Sequence, residues 1–150
     1  MLELFRRIFN QIDESLMSEE DRGRKLEIAT CVVLLEAATA DSELSEEELE
    51  NIISILKARF EMTDSSVNEL IETSKREREK SPDLWHFSKV INENLSTDEK
   101  YELMEMIWRV IYTDGKLDKF ENYIAHKLLT LLRLDHSKFI ELKLKVKNGS

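Results

Sequence analysis

The chain reads as an all-α protein: a compact bundle of about seven to eight helices, built around two pseudo-symmetric three-helix repeats. Three observations predict this. Three Gly and one Pro in 150 residues leave little chemistry for tight β-turns, and β-branched residues do not cluster. Apolar residues recur at helical spacing along nearly the whole length. Finally, Asp41-Ser-Glu-Leu-Ser-Glu-Glu-Glu48 returns as Asp114-Gly-Lys-Leu-Asp-Lys-Phe-Glu121, each copy lying between two apolar helical runs. In both copies Asp leads, Leu44 or Leu117 follows, and Glu48 or Glu121 closes the pattern.

Taken in order, residues 2–17 predict an amphipathic opening helix with Leu2, Phe5, Ile8, Phe9 and Ile12 on one face. Residues 20–40 predict a longer helix, apolar almost all round from Ile28 to Ala40, as a buried central helix must be. Leu49, Ile52, Ile53, Leu56 and Phe60 form a core-facing stripe over 46–60. Asp64 is expected to cap a helix carrying Val67, Leu70 and Ile71, whose charged end, 74–80, reads as solvated. Ser81 and Pro82 predict the next start, with Ser as cap and Pro at the first helical position. Ser96 and Glu99 make a capping box before Tyr101, Met104, Ile107, Trp108 and Ile111. Asp118 and Asp135 are expected to open the last two helices.

The repeat extends beyond the acidic pattern. Leu35 aligns with Trp108, Ile55 with Leu128 and Leu56 with Leu129; after a one-residue gap, Phe60 aligns with Leu132, Met62 with Leu134, Val67 with Phe139 and Leu70 with Leu142. Residues 26–72 and 99–144 are therefore expected to be the two repeats of a single domain covering 1–150. Short connections favour antiparallel neighbours.

The net charge of −9, from 31 acidic and 22 basic residues, argues against nucleic acid as a partner, because phosphate attraction needs basic surface. Six acids crowd into 41–50, whereas Lys143, Lys145 and Lys147 make a basic tail. Cys31 stands alone among apolar neighbours and reads as core, which excludes an internal disulfide and a Cys-based zinc site. Trp85 and Trp108 both read as core. No run reaches the ~20 apolar residues of a membrane span, and no signal-peptide pattern opens the chain, so a cytoplasmic location is expected. His86, His126 and His136 are far apart in sequence and make no motif, although His126 follows Glu121 closely enough to face the second acidic site.

Carboxylate oxygens are hard ligands, so Asp41 with Glu48 and Asp114 with Glu121 could each converge on a divalent cation: Ca²⁺, Mg²⁺, Mn²⁺ or Zn²⁺. The alternative is structural. Ser45 with Glu48 spells a capping box and Asp118 with Glu121 resembles one, which would make the motifs helix caps on a metal-free interaction scaffold. An EF-hand is excluded. Twelve residues counted from Asp41 or Asp114 end at Ile52 or Ala125 rather than Glu, and the sixth positions are Glu46 and Lys119 rather than Gly. Four carboxylates could in principle activate water on two ions, but no general base or pocket motif accompanies them, and a non-catalytic role is expected.

Ala40-Asp41-Ser42-Glu43-Leu44 with Glu48, and Thr113-Asp114-Gly115-Lys116-Leu117 with Glu121, resemble the tellurite-resistance protein TerB family. The run Ala125 to Leu134 followed by Asp135 and Phe139 is similar to the same module, which also occurs in some membrane-anchored DnaJ-type co-chaperones. The resemblance implies an all-helical domain with internal two-fold symmetry. It implies metal-binding carboxylates at Asp41, Glu48, Asp114 and Glu121. It also implies bacterial stress-response complexes with protein partners at the inner face of the membrane. Ser42 departs from the Gly common after the first Asp.

Overall fold

A computed structural model describes residues 19–39, 44–112 and 119–148, with the side chains of Glu19 and 119–122 outside that description. The described residues form seven helices and the turns between them, an all-α bundle. The helix expected over 2–17 lies outside them.

Helix α1 (Glu19–Ala38) is the axis of the bundle. From Ala29 to Ala38 every residue but Glu36 is buried, and the helix packs on α2 (Glu46–Phe60), α3 (Asp64–Lys80), α4 (Trp85–Asn94), α5 (Thr97–Ile111) and α6 (Lys119–Leu131). α5 is the second axis, packed on α1, α2, α6 and α7 (His136–Lys147). The core joins Leu34, Ile52, Leu56, Leu70, Ile91, Met104, Ile107, Trp108, Leu128 and Phe139 into one cluster. Each such side chain contributes roughly 1.5–3 kcal/mol on burial. The aligned pairs Leu35 and Trp108, Leu56 and Leu129, and Val67 and Phe139 are buried in both members. Ile55 and Leu142 are half-buried where their counterparts Leu128 and Leu70 are fully buried.

The connections after α2 and α6 are built alike. Glu61 and Arg133 sit in the left-handed region at φ 51 and φ 56. The next amide in each turn bonds back to a carbonyl five residues earlier, Met62 N–H to Lys57 C=O at 3.3 Å and Leu134 N–H to Leu129 C=O at 3.1 Å. These bonds occupy carbonyls that a helix end leaves without partners. The following helices then open on side-chain caps. Thr63, rather than the expected Asp64, accepts from the Ser66 amide, and Asp135 accepts from the Ser137 amide at 2.8 Å. Asp64 is instead the first residue of α3 and pairs with Lys57 at 2.6 Å. The Ser137 hydroxyl and amide hold the Asp135 carboxyl below its ordinary value.

Three further expectations are corrected. Ser81 closes α3 instead of opening α4: its amide bonds to Arg78 C=O, and its carbonyl accepts from the Arg78 guanidinium at 3.0 Å. α4 begins only at Trp85, whose amide is taken by Asp83 Oδ1, and the extra turn lets Leu84 enter the core. Trp85 is then turned outward and 59% exposed, contrary to its expected place in the core, whereas Trp108 is fully buried. The end of α3 is also less solvated than its charge alternation suggests. Ser74 is buried, and Arg78 Nε donates to Glu36 Oε1 at 2.6 Å.

The end of α6 is held by side chains from two other helices. Lys100, itself buried, donates to Leu132 C=O at 3.0 Å and to Asn92 Oδ1 at 3.2 Å, while Asn92 Nδ2 donates to Leu131 C=O. A cation at a helix C-terminus complements the dipole. Among the described residues no helix is long and apolar enough to cross a membrane.

Candidate functional site

The acidic motifs occupy the junctions α1–α2 and α5–α6. At the first, α1 ends where the Thr39 hydroxyl bonds back to Leu35 C=O at 2.8 Å. α2 starts on Ser45, whose extended backbone and Oγ cap the helix by accepting from the Glu48 amide at 3.1 Å. Glu48 stands in the first turn, half-buried, and its Oε1 accepts the Ser45 hydroxyl at 2.9 Å. This differs from the capping box that the spacing predicts, in which the carboxylate would accept the cap residue's amide. That full box forms at α5, where Glu99 Oε1 accepts from Ser96 N–H at 3.0 Å and Ser96 Oγ accepts from Glu99 N–H at 3.2 Å. The Ser96 amide and hydroxyl hold the Glu99 carboxyl below its ordinary value.

At the second junction, α5 ends with the Tyr112 amide on Trp108 C=O and its ring against the Trp108 indole, centroids 5.9 Å apart. α6 starts at Lys119, which places Glu121 in its first turn by backbone position. Asp41, Asp114 and Asp118, the cap expected from the sequence, lie outside the described residues, as does the side chain of Glu121. Of the four expected ligands, Glu48 is therefore the one whose side chain can be located. Among the described residues, no three His, Cys, Asp or Glu side chains are gathered to hold a metal ion.

Two of the three histidines, His126 and His136, do form a group that sequence distance concealed. The turn between α6 and α7 stacks His126 on His136 with centroids 5.4 Å apart, and Phe139 lies against both. Burial, then the nearby His136 and Lys143, lower the His126 pKa below its ordinary value. Cys31 is core, as expected, and burial pushes its thiol up to about 11 against the opposing influence of Ser74, Lys75 and Arg24. Much of the basic tail is already engaged. Lys145 pairs with Glu105 at 3.0 Å, and Lys143 lies 5.5 Å from the centre of the Trp108 ring. Burial alone would raise the Glu105 carboxyl, but Lys145 and Arg109 hold it below its ordinary value.

A groove of about 240 Å³ adjoins the first junction, lined by Val32, Leu35, Thr39 and Leu44 and by the Glu36–Arg78 pair. Two further grooves flank α4 and gather Arg22, Lys25, Lys89 and Arg133. Sequence reasoning missed this basic face. Its residues come from three separate elements, so no local charge run announces it.

Comparison with curated proteins and comparison with solved structures each found no match. A family model described as Tellurite resistance protein TerB matches residues 27–144, a span that contains both acidic junctions. By that match over most of its length, the chain belongs to the TerB family.

Proposed function

We propose that this chain is a non-catalytic TerB-type module that binds a divalent cation through its repeated carboxylates and serves in a stress-response protein complex. The observation that carries the reading is the family match over 27–144, together with the return of Asp and Glu at both junctions: Asp41 and Glu48, Asp114 and Glu121. The chemistry of Glu48 fits. It is half-buried at a helix start, and its Oε2 has no partner among the described residues. Carboxylate oxygens suit Ca²⁺, Mg²⁺ or Mn²⁺, and Zn²⁺ is accommodated with fewer donors. The cation would neutralise clustered negative charge and fix the junctions as a surface for a protein partner, on the cytoplasmic side and at the inner membrane face.

The test is calorimetric titration of the chelator-stripped chain with each of the four ions, beside Asp41→Asn/Asp114→Asn. One ion should bind saturably, and the double variant should lose that binding while keeping its helical circular dichroism. Absence of binding heat with all four ions would sink the metal reading. A second reading draws on the Ser45–Glu48 contact, which makes this carboxylate part of a helix cap. On that reading the module is a metal-free interaction scaffold, and chelators leave partner capture unchanged.

A further inference from the structure

Helix α4 lies between the two repeats in sequence, outside both 26–72 and 99–144. Its inner face, Phe87, Ser88 and Ile91, is buried. Its outer face carries Trp85, His86 and Lys89, all exposed. A groove runs along each flank. The first, about 240 Å³, lies between α4 and the start of α1 and is lined by Arg22, Lys25, His86 and Lys89. The second, about 370 Å³, lies between α4 and the end of α6 and is lined by Trp85, Lys89 and Arg133 among others. Lys89 and Glu93 line both, so the grooves meet across α4.

Four basic side chains from three elements thus collect on one face of a protein whose net charge is −9. Glu93 is the one carboxylate among the lining residues, 4.0 Å from Lys89. The side chains of Arg22, Lys25 and Arg133 make no ion pair among the described residues. Clefts lined by one sign of charge focus the field on a ligand of the other sign. Lys89 lies 5.5 Å from the centre of the Trp85 ring, which sets a cation and an exposed aromatic face together. Exposed Trp beside Arg is the composition of interface hot spots.

We propose that this face docks an extended acidic segment of a partner protein, its carboxylates seated by Arg22, Lys25, Lys89 and Arg133 and an apolar side chain laid on Trp85. Charge complementarity selects an anion. The spread of the cations over two joined grooves selects an extended ligand over a single oxyanion. The negative charge of the remaining surface opposes a polyanion as long as nucleic acid or as broad as a membrane. The inference is independent of metal binding at the junctions.

Trp85 supplies the readout, because the other tryptophan, Trp108, is fully buried. The full chain is titrated at low salt with a short oligoglutamate peptide bearing one central leucine, and tryptophan emission is followed. A saturable shift is expected. It should weaken by roughly tenfold in Lys89→Gln/Arg133→Gln and again as salt is added, and Lys89→Arg should retain it. Circular dichroism of each variant checks the fold. No shift, an equal shift with the glutamine version of the peptide, or unchanged affinity in the double variant would overturn the proposal. So would tighter binding of inorganic phosphate, a single-stranded oligonucleotide or phosphatidylglycerol vesicles. Sedimentation showing that a second copy of this chain already covers Trp85 would overturn it as well.

Discussion

His126 and His136 show how much one residue's surroundings decide. The two imidazoles stack at 5.4 Å with Phe139 against them, and Lys143 adds positive charge on the same side. Burial first, then these charges, disfavour a proton on His126. Its folded pKa lies below the ordinary 6.5, so the unfolded chain takes up the proton at higher pH than the folded one. The contribution to stability is complete above pH 6.5 and is lost as pH falls towards the folded value. We therefore expect urea stability to drop on acidification from pH 6.5 to about 5, before most carboxylates titrate. His126→Gln should flatten that slope, and an equal slope in wild type and variant would show that another group carries it. Nothing local announces this pair, because ten positions and a left-handed turn separate the partners. Trp85 misleads for a related reason. Its apolar neighbours Leu84 and Phe87 do enter the core, and the late start of α4 rotates Trp85 away from them.

At the scale of elements, the turns after α2 and α6 make the same demand on unlike residues. Both require a left-handed residue, and the chain supplies Glu61 and Arg133 where glycine is the usual occupant. A side chain there costs roughly 1–2 kcal/mol, while glycine gives back roughly 0.4–1 kcal/mol through the entropy of the unfolded chain. Glu61→Gly should therefore stabilise by about 0.5 kcal/mol, read as a higher urea midpoint at constant slope. A lower midpoint would mean that the Glu61 side chain holds something the turn needs. Helix existence was legible in the sequence because long stripes such as Leu49 to Phe60 and Tyr101 to Ile111 admit one period. Helix ends were less legible. At Thr63-Asp64 two good caps compete, and the hydroxyl one residue earlier wins. At Ser81-Pro82 a strong start signal yields to the bonds between Arg78 and Ser81 and to the burial of Leu84. Lys100 is buried under the end of α6 because the bundle brings Leu132 and Asn92 to it.

Over the whole molecule, the two axial helices α1 and α5 come one from each of the repeats expected from the sequence, and each packs on the other and on helices of the opposite half. One buried cluster runs through all seven described helices, from Ala29 in α1 to Phe139 in α7. That all-α core was legible because apolar spacing and burial share a cause, whereas the metal reading depends on whether the loop carboxylates converge, which spacing alone does not determine. A shared core has a thermodynamic consequence: neither half can lose its axis without exposing the other. Two probes in opposite halves can test this. Cys31 is the single cysteine, fully buried in α1 and held largely in its unreactive thiol form by a pKa near 11. Trp108 is fully buried in α5 and dominates any emission change on unfolding, since Trp85 is already 59% exposed. Along a urea series, the reactivity of Cys31 towards a thiol reagent and the emission of Trp108 should follow one transition with a common midpoint, as two-state unfolding requires. Earlier reaction of Cys31 would mean that the first half opens by itself. The two repeats would then be separate cooperative units, and the expectation of a single domain would fail.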